Sequence, residues 1–148
     1  MPQLKKATKK GTKEIAKIYA TEFSKPPYNE NWDYESANNK IKLFSKYCDI
    51  WKVVEDGSNG QIIGFAIVNV RFWLPGTVAF LEQFAIKHEY QNKEVEKEIL
   101  QHLIEIYLKR GFEKFMSISH KDSKTFKLYK DLGVEESKDN ALMEKYLR

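Results

Sequence analysis

The chain has 148 residues, with 25 Lys and Arg against 21 Asp and Glu, one cysteine and seven glycines. That length fits a single domain over residues 1–148, and 42% hydrophobic residues with 14% aromatics exclude a disordered chain. The longest apolar run, Ile62 to Val68, falls far short of the roughly 20 residues that cross a bilayer. The N-terminus lacks the apolar core of a secretory signal and the lone Cys48 can close no internal disulfide, so a cytoplasmic protein with no membrane partner is expected.

Charge is uneven along the chain. Residues 1–25 carry seven lysines against Glu14 and Glu22. Such a segment suits an acidic partner or a solvated helix face. No aromatic platform interleaves the lysines, which argues against a single-stranded nucleic-acid partner.

Leu4 to Ala7 reads as a first strand, and Thr8 or Thr12 then caps a helix with Ile15, Ala16, Ile18, Tyr19 and Phe23 at helical spacing. Lys25-Pro26-Pro27 ends it, because the residue before a proline is driven from the helical region. Asp33 follows as the N-cap of a second helix through Ala37, Ile41, Leu43 and Phe44. The period then shortens to that of strands: Ile50 to Glu55, Ile62 to Trp73 and Val78 to Ile86, joined by turns at Asp56–Gly60 and Leu74-Pro75-Gly76. Lys93 to Arg110 is an amphipathic helix ended by Gly111, and Phe115, Met116 and Ile118 suggest a fifth strand. Asp122 or Ser123 caps a last helix that Gly133 ends, and Ala141 to Leu147 is expected to close the fold as a strand. This order predicts an α/β (α+β) domain around one mixed central sheet. Its N-terminal meander is mainly antiparallel, its fourth and fifth strands run parallel, and helices flank it.

Three blocks resemble the GNAT acetyltransferase superfamily. They are Leu81-Glu82-Gln83-Phe84-Ala85-Ile86 with the following His88 to Lys93, Phe126 to Val134, and the closing Leu142 to Leu147. The loop Pro26-Pro27-Tyr28-Asn29-Glu30 is similar to that of members acting on aminoglycosides and polyamines. The resemblance implies acetyl transfer from acetyl-CoA, as cosubstrate, to a primary amine of a small molecule or peptide. The amine would attack directly in a ternary complex. It also implies that main-chain N–H groups of Phe84, Ala85 and Ile86 hold the pantetheine arm and polarise the acetyl carbonyl. The diphosphate would rest on the turn Gln91, Asn92, Lys93, Glu94, Val95 and Glu96, at a helix N-terminus. Asp122 falls where relatives contact the pantetheine arm, or else it is a helix cap.

The chain departs from the family at that turn, where Glu94 and Glu96 occupy positions that relatives give to Gly or Ala. A glutamate there adds bulk and charge beside an anion and complements the helix dipole by itself. A second reading therefore stands beside the first: a GNAT-like binding or regulatory module with weak or no CoA binding.

By the same resemblance Glu82 is the candidate base and Tyr129 the candidate acid at the leaving thiolate. Strand alternation would put Glu82 on the face of Phe84 and Ile86. Tyr28, Glu30 and Trp32 set carboxylates among rings, as a cationic amine acceptor would need, or as a capping turn tucked into the core would.

His88, His102 and His120 are widely spaced without paired ligands, so no metal site is expected. Ser119 and His120 are strand neighbours and point apart, which argues against a nucleophile–base pair. No Rossmann or Walker loop is present. Either a monomer or a homodimer is compatible with the pattern, the latter through an edge strand.

Overall fold

The apolar stripes read from the sequence become two layers against a central sheet. The computed structural model describes residues 2–74 and 76–147. Five strands lie side by side in chain order: β1 (Gln3–Lys6), β2 (Cys48–Val54), β3 (Ile62–Leu74), β4 (Gly76–Ile86) and β5 (Lys114–Ser117). The first four pair antiparallel, and β4 pairs with β5 in parallel. The parallel step follows from its connection, since a helix carries the chain back before β5 begins.

The helices are α1 (Lys9–Phe23), α2 (Tyr34–Phe44), α3 (Lys93–Lys109) and α4 (Lys124–Asp131). Ile15, Tyr19 and Phe23 of α1 and Ala37 and Ile41 of α2 pack with Phe65 and Ile67 on one face of the sheet. Ile99, Leu100, Leu103 and Tyr107 of α3 and Leu128 and Tyr129 of α4 pack with Ala66, Val68, Leu81 and Phe84 on the other. Each such aliphatic or aromatic side chain contributes about 1.5–3 kcal/mol by leaving water. At the far end of the second core, Trp51 donates its ring N–H to the Tyr107 hydroxyl at 3.0 Å, and that hydroxyl donates to Asp49 Oδ2 at 2.6 Å.

Asp33 caps α2 through a reciprocal box with Ser36, whose main-chain N–H donates to Asp33 Oδ1 at 2.8 Å. Thr8 stands at the N-cap of α1, and α4 starts on Ser123, not Asp122. Gly111 and Gly133 close α3 and α4 with φ of +84° and +76°, a conformation that a Cβ would oppose. A 3₁₀ turn at His88–Tyr90, which periodicity does not announce, links β4 to α3. The turn expected at Leu74-Pro75-Gly76 centres on a residue outside those described.

Two expectations are corrected. Residues 141–147 form no strand: Leu142, Met143, Tyr146 and Leu147 are 62–91% exposed. An apolar alternation makes a strand only where a neighbour accepts its hydrogen bonds, and among the described residues the tail pairs with no strand. Glu82 also does not share the face of Phe84 and Ile86. Ile67 pairs with Gln83 and Val68 with Leu81, so Glu82 is the extra residue of a bulge. The bulge reverses the alternation and turns Glu82 toward Asn69 and Arg71.

Candidate active site

Strand β5 is short, and that shortness makes the site. It pairs with β4 only from Val78↔Lys114 to Leu81↔Ser117, where Ser117 Oγ donates to the Leu81 carbonyl at 3.0 Å. Beyond Leu81, β4 continues to Ile86 with no strand on that edge. A wedge opens between the two strands at Glu82.

Two cavities meet over this wedge. The first, of about 680 Å³, runs from Phe84, Ala85 and Ile86 past Gln91 and Glu96 to Asp122, Ser123 and Lys124. The second, of about 490 Å³, has Glu82, Tyr129, Tyr28, Glu30, Lys40 and His120 in its wall. Phe23, Tyr28, Phe84 and Thr125 line both, so the two cavities adjoin. A separate cavity of about 520 Å³ at the start of α1 is lined by Lys6, Lys9, Lys13 and Lys42, shares no residue with these two and contains no carboxylate.

In the second cavity Glu82 accepts from Arg71 Nη2 at 2.7 Å and from Asn69 Nδ2 at 3.1 Å, both on Oε2. Among the described residues no hydrogen-bond partner is seen on Oε1. Tyr129 is 6% exposed; burial pushes its phenol up to about 12, while a hydrogen bond with Ser117 pulls it down and Tyr28 pushes it up. Tyr28 packs against Phe23 with ring centroids 4.7 Å apart and planes tilted by 57°, and edge-on at 5.8 Å to His120. Burial likewise raises its phenol, against a hydrogen bond with Ser123 that lowers it; Glu30 and Glu96 add to the rise.

Glu30 lines the cavity, but Trp32 does not. Its ring N–H donates to Glu30 Oε1 at 2.9 Å and its ring packs edge-on against Tyr19 at 5.0 Å. Lys40 lies beside it with Nζ 5.0 Å from both ring centroids and donating to the Tyr19 hydroxyl at 2.7 Å. Burial lowers the Lys40 ammonium, and Glu30 and Glu82 pull it back.

In the first cavity the Gln91 side chain donates to the Ile86 carbonyl at 2.9 Å and to Glu22 Oε1 at 3.1 Å, fixing the turn to α1. Asn92 caps α3 by accepting the Glu94 N–H at 2.9 Å. Glu94 and Lys93 face solvent, Val95 packs against the α3-side core, and Glu96 is 6% exposed. Asp122 is exposed at the rim, its main-chain N–H donating to His120 Nδ1 at 3.1 Å. Among the described residues no three His, Cys, Asp or Glu gather as a metal site would require, and no helix is long and apolar enough to cross a membrane.

Sequence reasoning missed Glu22, Lys40 and Arg71. For Glu22 a signal was present: it stands seven residues after Ile15 and three after Tyr19, on the buried stripe of α1. Lys40 and Arg71 carried none, because each reaches the site from an element whose placement only packing decides.

The fold has counterparts among known proteins. None of the curated proteins compared matches the sequence. A solved structure described as a probable acetyltransferase superposes with TM-score 0.81 at 16% identity, covering 99% of this chain and 98% of that one. A possible acetyltransferase from Clostridium difficile 630 gives TM-score 0.81 at 12% identity, covering 100% and 99%. The aminoglycoside N-acetyltransferase AAC(6')-Iy, solved in complex with CoA, gives 0.72 at 16%, covering 98% and 95%. Identities this low speak for the fold alone. The profile of the family described as Acetyltransferase (GNAT) family matches residues 12–134, which span α1 to the end of α4. The chain belongs to the GNAT acetyltransferase family.

Proposed function

We propose that the protein is an N-acetyltransferase that moves an acetyl group from acetyl-CoA to a primary amine by direct attack in a ternary complex. The observation that carries this reading is the open edge of β4 beyond Leu81, with two cavities joined across it. The first cavity takes the thioester donor and the second takes the amine.

The amine, a small molecule or a peptide side chain, is drawn in as an ammonium by Glu30 and Glu82 and by the Tyr28 ring. Glu82 uses Oε1 to take its proton, while Arg71 and Asn69 hold the carboxylate in place through Oε2. The freed nitrogen attacks the thioester carbonyl carbon. The main-chain N–H groups of Phe84 and Ile86, which alternation along β4 turns away from β3, face the open edge and stabilise the oxyanion. The C–S bond then breaks and the thiolate leaves beside Tyr129.

A phenol near 12 is always protonated at neutral pH. A thiol titrates near 8.5, so complete transfer from Tyr129 to the thiolate is uphill. Tyr129 therefore serves as a fixed hydrogen-bond donor to the thiolate. The nitrogen sheds two protons in all: Glu82 takes the first from the ammonium and passes it to solvent, and the second, lost as the tetrahedral intermediate collapses to the amide, protonates the thiolate.

Acetyl-CoA at 100 times its dissociation constant is expected to add about 2.7 kcal/mol of stability. A thermal-shift titration, with thiol release followed over a panel of amines, checks this. Tyr129→Phe is expected to lower the rate about a hundredfold with CoA affinity within twofold. If no donor shifts the melting temperature at millimolar concentration, the second reading, a binding module, replaces this one. Glu96 buried in the first cavity is the observation that favours it.

A further inference from the structure

The inner stripe of α1 is apolar except at Glu22, which is 8% exposed. A carboxylate stays ionised in such a place only when donors surround it. Its donors line the first cavity: the main-chain N–H of His88 at 3.1 Å, Gln91 Nε2 at 3.1 Å and Lys25 Nζ at 3.4 Å. Facing it is Glu96 of α3, whose carboxyl group is held above its usual range by burial and by the Glu22 charge, against the pull of Lys124. Lys124 itself donates to Gln91 Oε1 at 3.2 Å.

A donor whose acyl end lies at Phe84 must carry its other end along the rest of this cavity, toward Gln91 and Glu96. Anions are drawn there by the N-terminus of a 17-residue helix. Yet the His88 N–H already serves Glu22 and the Glu94 N–H serves Asn92. A diphosphate arriving there meets two carboxylates, with those two N–H groups already engaged and the Lys25 and Lys124 ammonium groups bound to Glu22 and Gln91.

We propose that Glu22 and Glu96 are specificity-determining residues of the donor cavity. They oppose the diphosphate of CoA, so that the site separates CoA only weakly from its pantetheine portion. Glu22 is an internal anion occupying the donors that a phosphate would take, and Glu96 adds repulsion. Glu94, the neighbour that sequence alone would blame equally, is exposed and screened by water. The inference rests on the acetyltransferase reading, because it presumes that the cavity receives a thioester donor.

The test is direct binding, by calorimetry, of CoA and of pantetheine to the intact protein and to Glu22→Gln, Glu96→Gln and Glu94→Gln. Glutamine at 22 can still accept the His88 N–H, and Glu96→Gln breaks no ion pair, so the test stands if either variant folds poorly. Removing one of these charges is expected to tighten CoA binding about tenfold. Pantetheine binding should stay within twofold, and Glu94→Gln should change either ligand by less than threefold. Unchanged or weaker CoA binding in Glu96→Gln, or an equal gain for pantetheine, overturns the proposal while leaving the acetyltransferase reading intact. Binding of neither ligand by any of the four proteins removes the acetyltransferase reading, and this proposal with it.

Discussion

Glu96 shows at the residue scale how a sequence position becomes a thermodynamic statement. Burial first, and the Glu22 charge second, hold its folded-state pKa above the 4.5 of a free glutamate. The folded protein therefore binds more protons than the unfolded chain between 4.5 and that raised value, and stability falls as pH rises through the window. Glu96→Gln is expected to remove this part of the slope and to be the more stable form at pH 7. Denaturant midpoints of both proteins between pH 4.5 and 8 check the sign. A wild type that gains stability faster than the variant as pH rises through that window would contradict it. Glu82 differs in kind: Arg71 and Asn69 bind it directly, so its charge is compensated rather than stranded.

At the scale of elements, β3 and β4 must approach closely to set the wedge, and Gly64 lets them. A Cβ at that position would lie 2.5 Å from Ile86 Cδ1 and 2.7 Å from the Ala85 carbonyl oxygen. Gly64→Ala is expected to cost about 1–3 kcal/mol and to displace the segment proposed to hold the donor. A lower denaturation midpoint together with weaker CoA binding is the expected pair of results; a variant with wild-type midpoint and affinity would show that β4 yields without consequence. The bulge at Glu82 works at the same scale. One extra residue in β4 sends Phe84 and Ile86 to the α3 face and Glu82 to the cavity shared with α1 and α2. A residue-by-residue alternation carries no mark of that insertion.

Over the whole molecule, the fold closes without its tail. Residues after Val134 are largely exposed and, among those described, form no helix or strand, while Leu142 and Glu144 touch the rim of the second cavity. Truncation after Ser137 is expected to change stability by less than about 1 kcal/mol, since exposed side chains bury little apolar area. A cooperative loss of structure on truncation, seen by circular dichroism, would contradict this. The sheet edge at β5 stays short, which limits its use as a template for pairing.

Local chemistry is what the sequence determined by itself. The Asp33 cap, the stop before Pro26, the glycine ends of α3 and α4, the meander and the parallel return after α3 all depend on residues a few positions apart. Only the tertiary structure decided which carboxylates face the first cavity. Glu94 and Glu96 are two apart on one helix, so about 200° of rotation sends one to water and the other inside. Glu22 joins Glu96 across the cavity from 74 positions away. The electrostatics of a site are sums over space, and sequence distance does not enter them.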